Sequence, residues 1–147
     1  MDDPALPVSL RSVVPTSNGT AVFLACAEKT FVIYVDPSVG HTLNMALNGE
    51  HKERPLTHDL IGEIFQGFGI SLERVVINHV DSGVFFARLI LRMANEIGTK
   101  LVEVDSRPSD ALVLAVQQKR PVFVTQGVLE RVEDMTEILE KILKPNS

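Results

Sequence analysis

The feature that most constrains the fold is a pattern of strands and turns that occurs twice along the chain. A first hairpin is predicted around Asn18-Gly19, a dipeptide typical of two-residue turns. A second is predicted around Asp81-Ser82-Gly83, and each hairpin is followed by a further apolar, strand-like segment. The six predicted strands are 8–14, 20–27, 30–36, 72–80, 84–92 and 100–105.

The two third strands align without a gap at an offset of 69 residues, which places "VDPSVGHTLNMALNG" on "VDSRPSDALVLAVQQ". Each copy then passes through an Arg-Pro dipeptide into an amphipathic helix, predicted at 58–68 and 132–143. The apolar residues predicted to face the core are Leu60, Ile61, Ile64, Phe65 and Phe68 in the first helix, and Val132, Met135, Ile138, Leu139, Ile142 and Leu143 in the second. We interpret the pattern as a duplicated hairpin–strand–helix–link–helix unit. Chance likeness between two β-rich segments is the alternative.

The chain length of 147 residues is typical of one domain. Hydrophobic residues at 45% and charged residues at 22% are ordinary globular values. We therefore expect a single compact α+β domain over 6–143 with a mixed or antiparallel sheet, repeats at 6–69 and 70–143, and short tails at 1–5 and 144–147.

Composition excludes several function classes. Apolar stretches are too short to span a bilayer, the acidic N-terminus lacks a basic signal region, and a single cysteine cannot form an internal disulfide. A cytoplasmic protein that does not bind membranes is therefore expected. A net charge of −5 argues against a general nucleic-acid coat, and no P-loop, zinc-type spacing or nucleophile elbow is present.

A polar segment, "DSRPSD" at 105–110, precedes the apolar run "ALVLAVQQ" at 111–118. Ser and Asp cap helix N-termini and Pro suits the first turn, so ordinary helix capping alone could explain the segment. The internal alignment gives a partial control. Asp105 matches Asp36 of the first copy, and we interpret it as architectural.

Two residues of this segment exceed what a helix start requires, because Arg107 aligns with Ser38 and Asp110 with His41. An apolar helix is expected to be enclosed, so its polar N-terminus would carry Arg107, Ser109 and Asp110 to one accessible spot. A helix N-terminus with an arginine favours anions, and neighbouring carboxylates could hold a divalent cation. A structural Arg–Asp ion pair is the alternative.

The first amphipathic helix adds further candidates. Asp59 and Glu63 lie four residues apart on one polar stripe. His58 is a candidate general acid or base because the ordinary pKa of imidazole lies near neutrality. A solvated helix face is the alternative interpretation of the stripe.

Three segments, "ERPLTHDLIGEIF" (53–65), "LERVVINHVDSGVFFARLIL" (72–91) and "VEVDSRPSDALVLAV" (102–116), together resemble the bifunctional nuclease domain family. The resemblance implies a self-associating α+β domain, dimeric or larger, that hydrolyses RNA and DNA. The motif residues that it points to are Arg54, Thr57, His58, Asp59, Asp105, Arg107, Ser109 and Asp110. One departure from the family pattern is His41-Thr42, at positions where bacterial relatives usually carry Glu-Ala.

Two hypotheses follow. The first is a nuclease without strong sequence preference, assisted by Mg²⁺ or Mn²⁺ and without an organic cofactor. Its candidate catalytic residues are His58, Asp59, Asp105, Arg107 and Asp110; its substrate-binding residues are Arg54, Thr57, Arg107 and Ser109; its metal ligands are Asp59, Asp105 and Asp110. The second is a non-catalytic, self-associating interaction module whose motifs are structural helix caps.

Overall fold

Two three-stranded antiparallel units form where alternation and turn signals predict them. The computed structural model describes residues 3–27 and 29–144, so the ends of both predicted tails lie outside the described residues. The first unit contains β1 (Ala5–Thr16), β2 (Gly19–Cys26) and β3 (Lys29–Val35). The second contains β4 (Ile70–Asp81), β5 (Val84–Ala94) and β6 (Thr99–Ser106). Ser82 and Gly83 link β4 to β5 with φ of 51° and 80°, as a tight two-residue turn requires.

A further strand, β7 (Val122–Thr125), joins the two units into one seven-stranded sheet with the order β3-β2-β1-β7-β4-β5-β6. β7 pairs antiparallel with β1 and parallel with β4. The sequence predicts only an extended link here, because a short segment of three apolar residues and a threonine carries no information about its distant partners. The predicted α+β class and mixed sheet are confirmed.

Among the described residues the chain forms α1 (Pro37–Leu47), α2 (Thr57–Gly67), α3 (Pro108–Gln118), α4 (Gln126–Arg131) and α5 (Thr136–Leu143). The third helix is enclosed, as its composition predicts. Its residues 111–115 are buried in the main core, together with side chains from the inner faces of both strand units. This packing fixes the polar N-terminus of α3 relative to the rest of the fold.

The first helices of the two halves correspond, but not as the ungapped alignment has them. Both α1 and α3 have eleven residues and begin with a proline. Their first residues, Pro37 and Pro108, lie two positions further apart than the predicted offset of 69. Arg107, not Asp105, therefore takes the N-cap place that Asp36 holds in α1. The element order agrees with a repeat as far as these helices, and the duplication itself stays a prediction.

The apolar stripe of α2 does not face the core, contrary to the sequence prediction. Leu60, Ile64 and Phe68 are 51%, 48% and 71% exposed. Only Ile61 of this stripe packs against the main cluster, and the buried residue of α2 is His58. The predicted inward assignment is wrong for the three exposed residues, since α2 contacts the body through its first turn and one side.

The second amphipathic helix begins later than predicted. Asp134 accepts hydrogen bonds from the backbone N–H groups of Thr30 and Thr136, both at 3.1 Å, which ties the segment before α5 to β3. Val132 is extended, and residues 126–131 form the separate helix α4. Leu139 is buried as predicted, whereas Ile138 and Ile142 are 45% and 40% exposed.

Candidate active site

Three helix N-termini meet at one surface pocket of about 600 Å³. Ser38 comes from the start of α1, Thr42 from the next turn of the same helix, and Thr57 from the start of α2. The other polar linings are His58 of the same turn of α2, and Arg107 and Asp110 at the start of α3. Helix N-termini present free N–H groups and a partial positive charge. The backbone therefore gives this pocket a field that favours anions.

His58 and Asp110 form the central contact of the pocket. His58 Nε2 lies 2.8 Å from Asp110 Oδ1, although the residues are 52 positions apart in the chain. The His58 side chain is only 11% exposed. An ionised carboxylate can only accept hydrogen bonds, so Nε2 carries the proton. In the neutral imidazole the other ring nitrogen, Nδ1, is then the one that can accept a proton.

Arg107 closes the cluster by binding the same carboxylate. Its Nε donates to Asp110 Oδ2 at 2.8 Å, and its Nη2 donates to Oδ1 at 3.3 Å. Burial raises the pKa of Asp110, but the hydrogen bonds from Arg107 and His58 lower it further, so its pKa lies below the ordinary value. The Arg107 side chain remains 67% exposed, which leaves guanidinium N–H groups directed to solvent.

The start of α1 lies next to this cluster but is satisfied locally. Asp36 accepts hydrogen bonds from the backbone N–H and the hydroxyl of Ser38, both at 2.9 Å. These bonds, with a smaller effect of the Arg107 charge, lower the pKa of Asp36. Asp36 therefore caps the start of α1, and its charge also lies near Arg107.

Asp59 belongs to a different network. Its Oδ2 accepts the backbone N–H of Leu56 at 2.8 Å, which fixes the start of α2. Its Oδ1 contacts Lys52 Nζ at 2.9 Å and Gln117 Nε2 at 3.0 Å. Burial raises the pKa of Asp59, but the bonds from Lys52 and Leu56 lower it more. Asp59 lines a second cavity of about 650 Å³ rather than the pocket that holds His58.

The other predicted site residues are dispersed. Thr57 lines the pocket as the first residue of α2, one position after the N-cap. Ser109 is buried at 7% exposure in the first turn of α3. Arg54 is exposed in the link before α2, and Asp105 is exposed on β6 opposite Arg88. The structure thus brings together His58, Thr57, Arg107 and Asp110.

The three predicted metal ligands occupy three separate environments. Asp59 is held by Lys52, Asp110 is held by Arg107, and Asp105 lies on the outer strand. Within residues 3–27 and 29–144, no three His, Cys, Asp or Glu side chains are grouped to hold a metal ion. The three carboxylates are not gathered into one site in this structure, and the divalent cation and its ligands stay a prediction.

Sequence reasoning missed the contribution of α1 to the pocket. Ser38 and Thr42 line it, and Thr42 stands where the family pattern has an alanine after its glutamate. The signal was available in "DPSVGH", which has the same helix-start composition as "DSRPSD". The sequence alone does not show that the two helix starts lie side by side in the fold.

The fold and the site define an α+β domain that carries an oriented histidine–carboxylate pair and an arginine in an accessible, anion-favouring pocket. The chain belongs to the bifunctional nuclease domain family, whose model matches residues 22–137.

Two curated relatives are uncharacterized proteins from two strains of Mycobacterium tuberculosis. Each is 30% identical over 105 residues, a match that covers 71% of this chain and 60% of the relative. The matched region therefore spans less than two thirds of the relatives' length. No helix in the described part of this chain is long and apolar enough to cross a membrane.

Proposed function

We propose that this protein is a nuclease that hydrolyses phosphodiester bonds of RNA and DNA without strong sequence preference. The observation that supports this most is the His58–Asp110–Arg107 cluster at the meeting point of three helix N-termini. Membership of the bifunctional nuclease domain family supplies the substrate class. The cluster supplies a proton acceptor and a cation, the two groups that hydrolysis of an anionic ester needs.

In the proposed reaction, a water molecule attacks phosphorus and transfers a proton to Nδ1 of His58. A new P–O bond forms to the water oxygen, and the bond to the departing nucleoside oxygen breaks. The resulting imidazolium returns its proton to the departing oxygen. Because DNA lacks the 2′-hydroxyl, an enzyme that cleaves both nucleic acids cannot depend on that hydroxyl as its nucleophile, and water takes its place in the proposed reaction.

Asp110 and Arg107 support these steps in different ways. Asp110 holds Nε2–H of His58, which fixes the ring tautomer and stabilises the imidazolium that forms. Arg107 directs its remaining N–H groups to the phosphate and stabilises the charge that develops there. The helix N-termini add fixed dipoles of the same sign. This local field offsets the net charge of −5 for a single bound phosphate.

Residues beside the cluster take supporting roles in the proposal. The Thr57 hydroxyl lines the pocket and is assigned to phosphate contact. Arg54, exposed in the link before α2, is assigned to a more distant phosphate. Asp59 is assigned to positioning, since its bond to Leu56 N–H fixes the turn that carries His58. Asp105 is assigned a role, as a metal ligand, only if a divalent cation assists the reaction.

The direct test compares wild type with His58→Gln and Arg107→Ala on labelled single-stranded RNA and DNA. We expect losses of roughly 10²–10⁴-fold in kcat for His58→Gln and roughly 10²–10³-fold for Arg107→Ala. His79→Gln and Arg74→Ala are matched controls, because both residues are exposed on β4 away from the pocket. Absence of turnover by wild type, or equal turnover by all variants, would contradict the proposal.

The divalent cation is proposed separately and has its own measurement. Turnover is followed with Mg²⁺, with Mn²⁺ and with EDTA. Asp110 is the one carboxylate among the described residues that line the pocket. Dependence on Mg²⁺ or Mn²⁺ that Asp105→Asn and Asp59→Asn both weaken would support the three-carboxylate assignment. Full activity in EDTA would exclude it.

A second function is supported by a different observation. Leu56, Leu60, Ile64 and Phe68 recur every fourth residue along α2 and are all at least 42% exposed. Such a stripe suits a second copy of the chain, and we propose self-association through it as a dimer or larger assembly. Light scattering on Ile64→Glu should show a smaller assembly than wild type. Ile97→Glu, at a 96% exposed turn position, is the matched control. A monomeric wild type would contradict this proposal.

A further inference from the structure

A third cavity has the form of a groove that begins at Arg107 and runs along the outer edge of β3. Its volume is about 490 Å³, and its walls are β3 on one side and the β4–β5 turn on the other. Val32 and Tyr34 line it from β3, and Val84 and Phe85 line it from β5. Because Arg107 lines both this groove and the pocket that holds His58, the two cavities are neighbours.

Tyr34 is the distinctive side chain of the groove. It is 60% exposed, although Ile33 and Val35 on either side of it are buried. Its exposed ring offers a flat apolar face on which a planar ligand can stack. Among the described residues the other strongly exposed rings are Phe68 and Phe86, and neither lines this groove.

The β3 strand also supplies polar groups to the groove. It is an edge strand, bonded to β2 on one side only, so its outward backbone N–H and C=O groups have no neighbouring strand. At Thr30 these groups bond residues 134 and 135, and by the alternation of an antiparallel strand the next outward groups are those of Val32 and Tyr34. The groove therefore offers an aromatic face, apolar walls, outward backbone groups, and the Arg107 guanidinium beside the Asp36 carboxylate at one end. A nucleobase attached to a phosphate presents the complementary set: a flat π-face, polar edges and an anion.

We propose that this groove is a base-binding subsite for single-stranded RNA or DNA. One nucleobase stacks on Tyr34 while its phosphate lies at Arg107, next to His58. The inference rests on the proposed nuclease function and specifies its substrate as an unpaired strand. Stacking is tolerant of sequence because every base has a π-face. Bases within a duplex are already stacked and paired, so they do not reach the groove.

This subsite is compatible with the acidic character of the chain. Proteins that hold nucleic acid by many phosphate contacts need a basic face. Stacking one base on Tyr34 anchors the strand with a single guanidinium, and the net charge of −5 is then compatible with binding. Affinity should fall only weakly with salt, since few counterions are released.

Tyr34 is the single tyrosine of the chain, which contains no tryptophan, so its fluorescence reports on this groove alone. The full-length His58→Gln variant is titrated with a short single-stranded thymidine oligonucleotide. Saturable quenching of tyrosine emission is expected, and the same oligonucleotide annealed to its complement should quench far less. The control is His58→Gln with Tyr34→Phe and Phe86→Tyr, which moves the fluorophore out of the groove and corrects for absorption by the bases.

Affinity is measured in parallel by anisotropy of the labelled oligonucleotide. Tyr34→Leu should weaken binding roughly 5- to 150-fold, the range for loss of one base–aromatic stack. Tyr34→Phe should bind within about twofold of the parent, because its ring still stacks. Circular dichroism and thermal unfolding establish that each variant is folded, and the conservative Phe variant keeps the test informative if Tyr34→Leu is not.

The outcomes separate the subsite from the nuclease function. Turnover by wild type without quenching in the His58→Gln titration would overturn the subsite alone. Quenching without turnover by wild type would overturn the nuclease and leave a nucleic-acid-binding groove. Quenching by an extended valine–threonine peptide, and not by the oligonucleotide, would overturn the nucleobase assignment and identify β3 as a peptide-binding edge.

Discussion

The starts of α1 and α3 are built on the same plan and use their polar residues differently. Both helices begin with a proline, and both lie at the same pocket. In α1, Asp36 accepts its hydrogen bonds from Ser38, two residues away. In α3, Asp110 bonds His58, 52 residues away, as well as Arg107. The carboxylate at the start of α1 bonds within its own helix start, whereas the carboxylate at the start of α3 bonds a residue of α2.

This difference in hydrogen-bond partners distinguishes a structural carboxylate from a candidate catalytic one better than the composition of the two segments does. Both segments contain acids, serine and proline, and both suit helix capping. A carboxylate used for capping has its oxygens occupied by hydrogen bonds from adjacent N–H groups. A carboxylate that instead orients an imidazole leaves that ring's other nitrogen available for proton transfer.

The largest effect that tests this comparison is on activity. Asp110→Asn removes the charge that stabilises a His58 imidazolium and can present an amide N–H to Nε2, so kcat should fall roughly 10²–10⁴-fold. Asp36→Asn should change kcat far less, because Asp36 makes no bond to His58. Single-turnover cleavage of labelled RNA measures both. Equal losses in the two variants would remove the distinction.

The next effect concerns packing, where the two helices should behave alike. Leu43 of α1 and Leu114 of α3 lie six residues after the first proline, and they are 1% and 2% exposed. Truncation to Ala should cost about 2–5 kcal/mol of unfolding free energy in each case, from lost burial and the cavity left behind. Urea denaturation gives the values. A cost below about 1 kcal/mol at either site would show that the halves are packed unequally.

Acid sensitivity should follow the same pair of carboxylates. The folded-state pKa of Asp110 and of Asp36 lies below the ordinary value, which is about 3.9 in unfolded chains. A lowered pKa adds stability above the unfolded pKa, and that stability is lost as the pH falls through the folded pKa. Asp110→Asn and Asp36→Asn should therefore differ most from wild type near neutrality and converge with it below about pH 4. Urea midpoints measured across this range test the sign, and a gap that widens in acid would contradict it.

The smallest expected effect lies at the C-terminal ends of the same helices. The chain leaves α1 through Gly49 with φ of 62°, and it leaves α3 through Lys119 with φ of 55°. Left-handed backbone suits glycine and costs other residues about 1 kcal/mol or more. Lys119→Gly should raise the unfolding free energy by about 1 kcal/mol, and Gly49→Ala should lower it by a similar amount. Thermal unfolding of both variants checks the opposite signs.

Local sequence signals predicted the parts of the fold that depend on neighbours in the chain. Alternation and turn residues located six strands, and an all-apolar run identified α3 as enclosed. The same reasoning selected His58, Arg107 and Asp110 as candidates. It could not show that His58 contacts Asp110, because a contact over 52 residues depends on how α2 and α3 pack.

The errors have the same origin. The ungapped alignment matched Asp105 with Asp36. In the structure one residue separates strand from helix in each half, Asp36 after β3 and Arg107 after β6, because β6 ends two positions later than the alignment assumes. The stripe of Leu60, Ile64 and Phe68 has the spacing of a core face, and periodicity does not distinguish a core from an interface. Tyr34 gave no signal, since one aromatic in a strand is unremarkable until its neighbours are known.

The central position of β7 has a consequence for how the chain acquires its structure. Four residues near the C-terminus, Val122–Thr125, are the strand that lies between β1 and β4. During synthesis from the N-terminus, both three-stranded units emerge before this strand does. The inner edges of the two units, β1 and β4, stay unpaired until residue 125 is available. Closure of the sheet is therefore a late, long-range event, and a chain that ends just before β7 would present two unpaired inner strands.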